Sequence, residues 1–156
     1  MSEGYRATAP ITKRKAFAYI VHGGRIVLLH HPDHPEAGVQ VPAGTMEDGE
    51  PPEAAVLREA FEETGLPGLR IVRHLGREWI DMRPFGRDEW HDRWFFQLGL
   101  AADPDDAHAE AWERIEETPA DGSPPIRFLL RWTPLDDLPP LIGRHDRFLR
   151  DIVRAP

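Results

Sequence analysis

The sequence predicts a mixed α/β layered fold: a sheet, one central helix and one closing helix. Three observations carry this. Short β-type runs cover residues 14–21, 25–30 and 39–41, and longer ones return at 69–80, 93–100 and 126–133. Between them, residues 51–64 carry the one strong helical signature of the first half of the chain. An apolar stripe through Leu141, His145, Phe148, Leu149, Ile152 and Val153 then closes the chain at helical spacing.

Taken in order, residues 1–13 read as a flexible lead-in, with Pro10 discouraging early regular structure, and residues 14–156 as one domain. Arg14 to Val21 and Arg25 to His30 flank His22-Gly23-Gly24, which is a hairpin signal. Residues 31–38 hold Pro32, Pro35 and Gly38 and read as a loop. Val39-Gln40-Val41 is a brief strand leading through Pro42 to Gly44.

The central helix starts at Pro51-Pro52, because proline suits a first turn whose N–H groups lack partners. Gly65 ends it as the usual left-handed residue. Val56, Leu57, Ala60, Phe61 and Thr64 are its expected inward face, with Glu59, Glu62 and Glu63 expected opposite. Asp81 to His91 reads as a charged loop, and Asp103 to Pro125 as an acidic excursion with a short helix near Ala107 to Glu117.

A chain of 156 residues with 40% hydrophobic and 29% charged content fits one soluble domain with a real core. No cysteine is present, which excludes disulfides, thiolate metal sites and a cysteine nucleophile. No secretory signal and no apolar run long enough to span a bilayer is read, so the expected location is cytoplasmic and no membrane partner is expected. A formal net charge of −8 argues against a protein that lives on phosphate backbones by bulk attraction.

The chemistry concentrates in Glu59, Glu62 and Glu63, at i, i+3 and i+4. Such neighbours crowd like charge, at a cost of roughly 0.2–0.5 kcal/mol per pair on a bare helix. A hard divalent cation between the oxygens removes that cost, and Mg²⁺ suits carboxylates shared with water and substrate phosphates.

These glutamates stand in a longer frame: Gly44, Glu50, Arg58-Glu59-Ala60-Phe61-Glu62-Glu63-Thr64-Gly65-Leu66. That frame resembles the Nudix box, many of whose positions are fixed at set spacings over 23 residues. Val41-Pro42-Ala43 before it and Arg131-Trp132-Thr133-Pro134-Leu135 before the closing helix also look like the family. Ala43 departs from the second glycine many members carry, and Ala60 is small for its hydrophobic slot. Neither departure touches a charged position.

The resemblance implies a Nudix-type α/β/α sandwich with a mixed β-sheet, a catalytic helix and a C-terminal helix. It implies a hydrolase that cleaves the diphosphate of a nucleoside diphosphate joined to another group, with Mg²⁺ or Mn²⁺ as cofactor. Glu59 and Glu63 would be the principal metal ligands, Glu62 a further ligand, directly or through water, and Gly44 a carbonyl donor. Glu50 and Arg58 would pair structurally, and Gly65 would close the helix. For the general base the family uses a box glutamate or one from a later loop. Glu110, Glu113, Glu116 and Glu117 are the later candidates here; Glu116 is favoured because Trp112 would anchor its segment.

Other residues have plainer readings. His30, His31 and His34 sit among loop residues without a His-x-x-x-His pair, and read as surface or structural. Arg77, Arg83, Arg87 and Arg93 read individually as partners of Glu78, Asp81, Asp88, Glu89 and Asp92, with one of them open to phosphate contact. Trp94 and Trp132 read as core, and Trp90 as the best stacking candidate. Competing functions are house-cleaning hydrolysis of nucleoside triphosphates, RNA 5′-end hydrolysis, and a silent nucleotide-sensing domain. The net charge disfavours extended nucleic acid, and the complete carboxylate set favours catalysis. The expected partner is a small nucleotide-derived diphosphate; the resemblance leaves a homodimer open.

Overall fold

The computed structural model describes residues 11–119 and 122–154. Seven strands and one α-helix follow in the order β1 (Ile11–His22), β2 (Arg25–His30), β3 (Ala43–Thr45), α1 (Pro52–Thr64), β4 (Leu69–Asp81), β5 (Glu89–Leu100), β6 (Ala111–Glu116) and β7 (Ile126–Pro134). The strands hydrogen-bond in the order β4-β5-β1-β2-β7-β6, with β3 pairing β1 off this path. β1 and β5 run parallel and the remaining pairs antiparallel, so the sheet is mixed. Most of the expected lead-in lies outside the described residues; its last part, from Ile11, already belongs to β1.

β1 explains why the chain needs cover on both sides. Ala16 to Ile20 are all buried, and successive side chains of a strand point to opposite faces. Ala16, Ala18 and Ile20 therefore pack with Val56 and Ala60 of α1, while Phe17 and Tyr19 pack with Phe95 and Phe148 on the other face. A continuous apolar run is what a strand buried on both faces requires.

That second face is covered by turns, not by the expected C-terminal α-helix: only Leu149–Asp151 forms a helical turn, of the 3-10 type. Gly143 and Arg144 both have positive φ (61° and 63°), which no α-helix admits. The Tyr19 hydroxyl donates to the His145 carbonyl at 2.5 Å and accepts from the Phe148 N–H at 3.2 Å, taking groups that a helix would pair internally. Gln97 clasps Val153 by two hydrogen bonds of 2.8 Å. The apolar stripe still turns inward at Phe148 and, in part, at Leu141, Leu149 and Ile152, whereas Val153 is exposed.

Further expectations change with tertiary pairing. Residues 111–116 form β6 instead of a helix, each residue registered on β7 from Ala111↔Arg131 to Glu116↔Ile126. β5 begins at Glu89, so Trp90 leaves the loop for a half-buried position registered on Asp81 and Thr12. The brief strand at 39–41 reduces to a single bridge, Leu29↔Gln40. On α1 the buried side chains are Ala55, Val56, Ala60 and Thr64; Phe61 is 54% exposed, about 100° around from Ala60. Among the described residues, no helix is long and apolar enough to cross a membrane.

Candidate active site

α1 rests on the sheet beside β3, and its C-terminal end is fixed. Gly65 adopts φ 71° and its N–H closes on the Phe61 carbonyl at 2.7 Å. At the same end the buried Trp112 donates its indole N–H to the Thr64 carbonyl at 2.7 Å, taking up one of the helix's last free acceptors. Trp112 thereby ties β6 to α1.

The tie brings Glu116 to the glutamates of the helix. Glu59, Glu62, Glu63 and Glu116 line one cleft of about 320 Å³, with Glu117, Arg114 and Phe128 around them. Of the other acids weighed as bases, Glu110 pairs with Arg25 at 3.3 Å and Glu113 with Arg127 at 3.2 Å.

The glutamates do not share the outer face of the helix. At about 100° per residue, Glu63 falls within roughly 20° of Val56 after two turns, so it points toward the sheet. Its carboxylate accepts the Ala43 N–H at 3.2 Å. Glu59 packs on Gly44 so closely that a Cβ added there would stand 1.9 Å from the carboxyl carbon. Of Glu59, Glu62 and Glu63, only Glu62 is exposed.

This placement sets the electrostatics. Burial raises the Glu59 carboxyl above the usual range, against the pull of Arg58. Glu63 is raised well above it, first by burial, then by the charges of Glu59 and Glu116. Carboxylates crowded in this way are poised for a cation.

Arg58 holds the preceding loop. It grips Glu50 with two hydrogen bonds of 2.8 Å and donates to the Thr45 carbonyl at 3.3 Å. It also donates to Glu59 at 2.8 Å and Glu62 at 3.2 Å. Paired this way, Glu50 is held down at about 2, with the Glu47 N–H assisting.

The donor set suits a hard cation in kind, being carboxylate oxygens around the Gly44 cradle. As the side chains stand, no group of three or more His, Asp or Glu converges to ligate one ion among the described residues. His30, His31 and His34 make no such group either: His31 stacks edge-on to Phe128, and His34 contacts Glu36.

Most arginines of the β4–β5 unit are paired. Arg77 forks onto Asp92 at 2.6 and 2.7 Å and lies over Trp94. Arg83 pairs with Asp81 at 2.7 Å, and Arg87 reaches Glu89 at 3.7 Å. Trp132 is core as expected, and Trp94 is half-buried, its indole N–H without a hydrogen-bond partner among the described residues. Arg114 was missed by sequence reasoning: it donates to the Glu62 carbonyl at 3.2 Å at the rim of the cleft. Only the pairing of β6 puts it there, and no local signal marks it.

Solved structures share this arrangement of strands and helix. A MutT NUDIX hydrolase from Burkholderia pseudomallei aligns with TM-score 0.63 and 26% identity, over 91% of this chain and 98% of that one. A UDP-X diphosphatase aligns with TM-score 0.61 and 18% identity, over 93% of this chain and 64% of that one. An ADP-ribose pyrophosphatase from Streptococcus suis aligns with TM-score 0.55 and 19% identity, over 89% and 90%. The NUDIX domain family matches residues 12–154. With Glu59, Glu62 and Glu63 of the box gathered on a single cleft, the chain belongs to the Nudix family and is a hydrolase of acid anhydrides.

Proposed function

We propose that the protein hydrolyses the diphosphate bond of a nucleoside diphosphate joined to another group, with Mg²⁺ or Mn²⁺. The observation that carries this reading is the meeting of Glu116, from β6, with Glu59, Glu62 and Glu63 in one cleft. Glu59, Glu63 and Glu62 would hold the cation, beside Gly44. When bound, the cation neutralises the phosphate oxygens and so makes phosphorus open to attack.

The chain's own groups do the rest. Glu116 accepts a proton from water as the water oxygen bonds to phosphorus, and the bridging P–O bond breaks toward the other phosphate. Two phosphate-terminated products leave. Arg58 keeps the Glu50 loop against the helix and orients Glu59. A small nucleotide derivative suits the net charge of −8 better than extended RNA does.

Release of phosphate-terminated products across nucleotide sugars, dinucleoside polyphosphates, ADP-ribose and nucleoside triphosphates tests the reading, with each cation in turn. Turnover is expected to fall by about 10²-fold or more in Glu63→Gln and in Glu116→Gln, the scale of a lost general base. Without cation, Glu63→Gln is expected to raise Tm, since a crowded charge is gone; about 2–4 °C accompanies each kcal/mol relieved. Turnover unchanged in both variants sinks the reading.

A further inference from the structure

The sheet face turned away from α1 carries a second set of charges. β1 and β5 run in parallel register, so Lys15 stands beside Arg93 and Lys13 beside His91. Lys15 and Arg93 share the face of Phe17 by strand alternation. With His145 they line a cavity of about 360 Å³ whose apolar wall includes Phe17, Phe85 and Ile142.

Arg87 and His91 of this cavity share Glu89, whereas Lys15 and Arg93 form no ion pair among the described residues. Glu89 is taken by Lys13 at 3.1 Å, His91 at 2.8 Å and Arg87 at 3.7 Å. Glu78 is taken by Arg144 at 2.5 Å and Arg147 at 2.6 Å. Arg93 is 3% exposed, yet among the described residues its guanidinium meets only the Gly143 carbonyl, the Met82 sulfur and the face of Phe17. Its buried Nε has no partner among the described residues. Burial pushes Arg93 down to about 10, and burial with Lys13, Arg87 and Arg93 nearby lowers Lys15.

His145 adds a fixed donor. Its Nδ1 accepts the Val41 N–H at 3.1 Å, so the ring proton belongs to Nε2. An uncompensated buried guanidinium is strongly unfavourable. A neutral occupant leaves that penalty in place, whereas an oxyanion removes it, and guanidinium and ammonium groups are the side chains that bind oxyanions.

The cavity also adjoins the carboxylate cleft. Ala43 lines it while donating its N–H to Glu63, and Lys15 is registered on Thr45, next to Gly44. β3 thus stands between a cationic cavity and an anionic cleft. A volume of about 360 Å³ with an apolar wall suits a compact organic group better than a bare ion.

We propose that this cavity receives the group joined to the diphosphate, and that Lys15 and Arg93 hold an oxyanion on that group, a carboxylate or a phosphate monoester. The assignment rests on the diphosphate-hydrolase reading above.

Inorganic phosphate is the first probe, titrated by calorimetry without divalent cation. Saturable binding is expected, weakened at least tenfold in Lys15→Gln and in Arg93→Gln but retained in Glu63→Gln. Lys15 is half-buried at the cavity rim, so its variant carries the test if Arg93→Gln does not fold. The second probe compares a nucleoside diphosphate hexose, its hexuronate and its hexose phosphate as substrates with Mg²⁺. At least one anionic form is expected to show kcat/KM tenfold above the neutral form, an advantage lost in Lys15→Gln; the better form identifies the oxyanion. Phosphate binding that is absent or indifferent to Lys15→Gln overturns the proposal, as does equal turnover of the neutral form. Lys15-dependent phosphate binding with no hydrolysis of any form leaves the anion site standing and removes the hydrolase reading.

Discussion

The indole N–H of Trp112 lies 2.7 Å from the carbonyl oxygen of Thr64, joining the last turn of α1 to β6. With the bond from Arg114 to the Glu62 carbonyl, it links the strand that carries Glu116 to the helix that carries Glu59, Glu62 and Glu63. Trp112→Phe keeps most of the buried ring but leaves the Thr64 carbonyl unsatisfied, at a cost of about 1–3 kcal/mol. Urea unfolding is expected to show that loss, and kcat to fall more than KM rises. A variant with unchanged kcat would mean that Glu116 is held some other way.

Gly44 admits the Glu59 carboxylate only because it has no side chain. The methyl of Gly44→Ala would overlap the carboxyl group, so Glu59 must swing away. Cation affinity is expected to weaken by about 10- to 100-fold, as when a ligand loses its orienting neighbour. Titration with Mn²⁺ followed by electron paramagnetic resonance measures this, and the circular dichroism of the fold is expected to stay the same.

Acid should act on two named groups. Glu50 has a folded-state value of about 2 because Arg58 binds its carboxylate. Its folded value lies below the unfolded one of about 4.3, so this stability is present above that pH and is lost as pH falls toward 2. His145 is pushed down to about 3, first by burial and then by Arg93 and Lys15. The unfolded chain takes up that proton from about pH 6.5 downward while the native chain refuses it, so this stability is complete above 6.5 and declines toward pH 3. Tm measured against pH is expected to fall in both windows, and Glu50→Gln to flatten only the more acidic one.

The helix α1, its glycine end and its carboxylates were legible in sequence because they are local. Proline at the start, glycine at the end and charges at i, i+3 and i+4 act within a few residues. The Glu50–Arg58 grip was legible as well, through the family frame. The inward direction of Glu63 needed only the helical angle, yet a view of the glutamates as one outer stripe concealed it.

What only tertiary structure decided lies where pairing across the chain overrides local pattern. Residues 111–116 have helical charge spacing but become a strand, because β7 offers them a full ladder. The apolar stripe of 141–153 has helical spacing too, but positive φ at Gly143 and Arg144 and the hydroxyl of Tyr19, more than a hundred residues away, hold it in turns. The same long-range pairing carries Glu116 to the box and sets Arg93 beside Lys15. Side-chain type and short spacing determined what the cleft can bind. Which groups face one another across it depended on strand register, which no local stretch of sequence encodes.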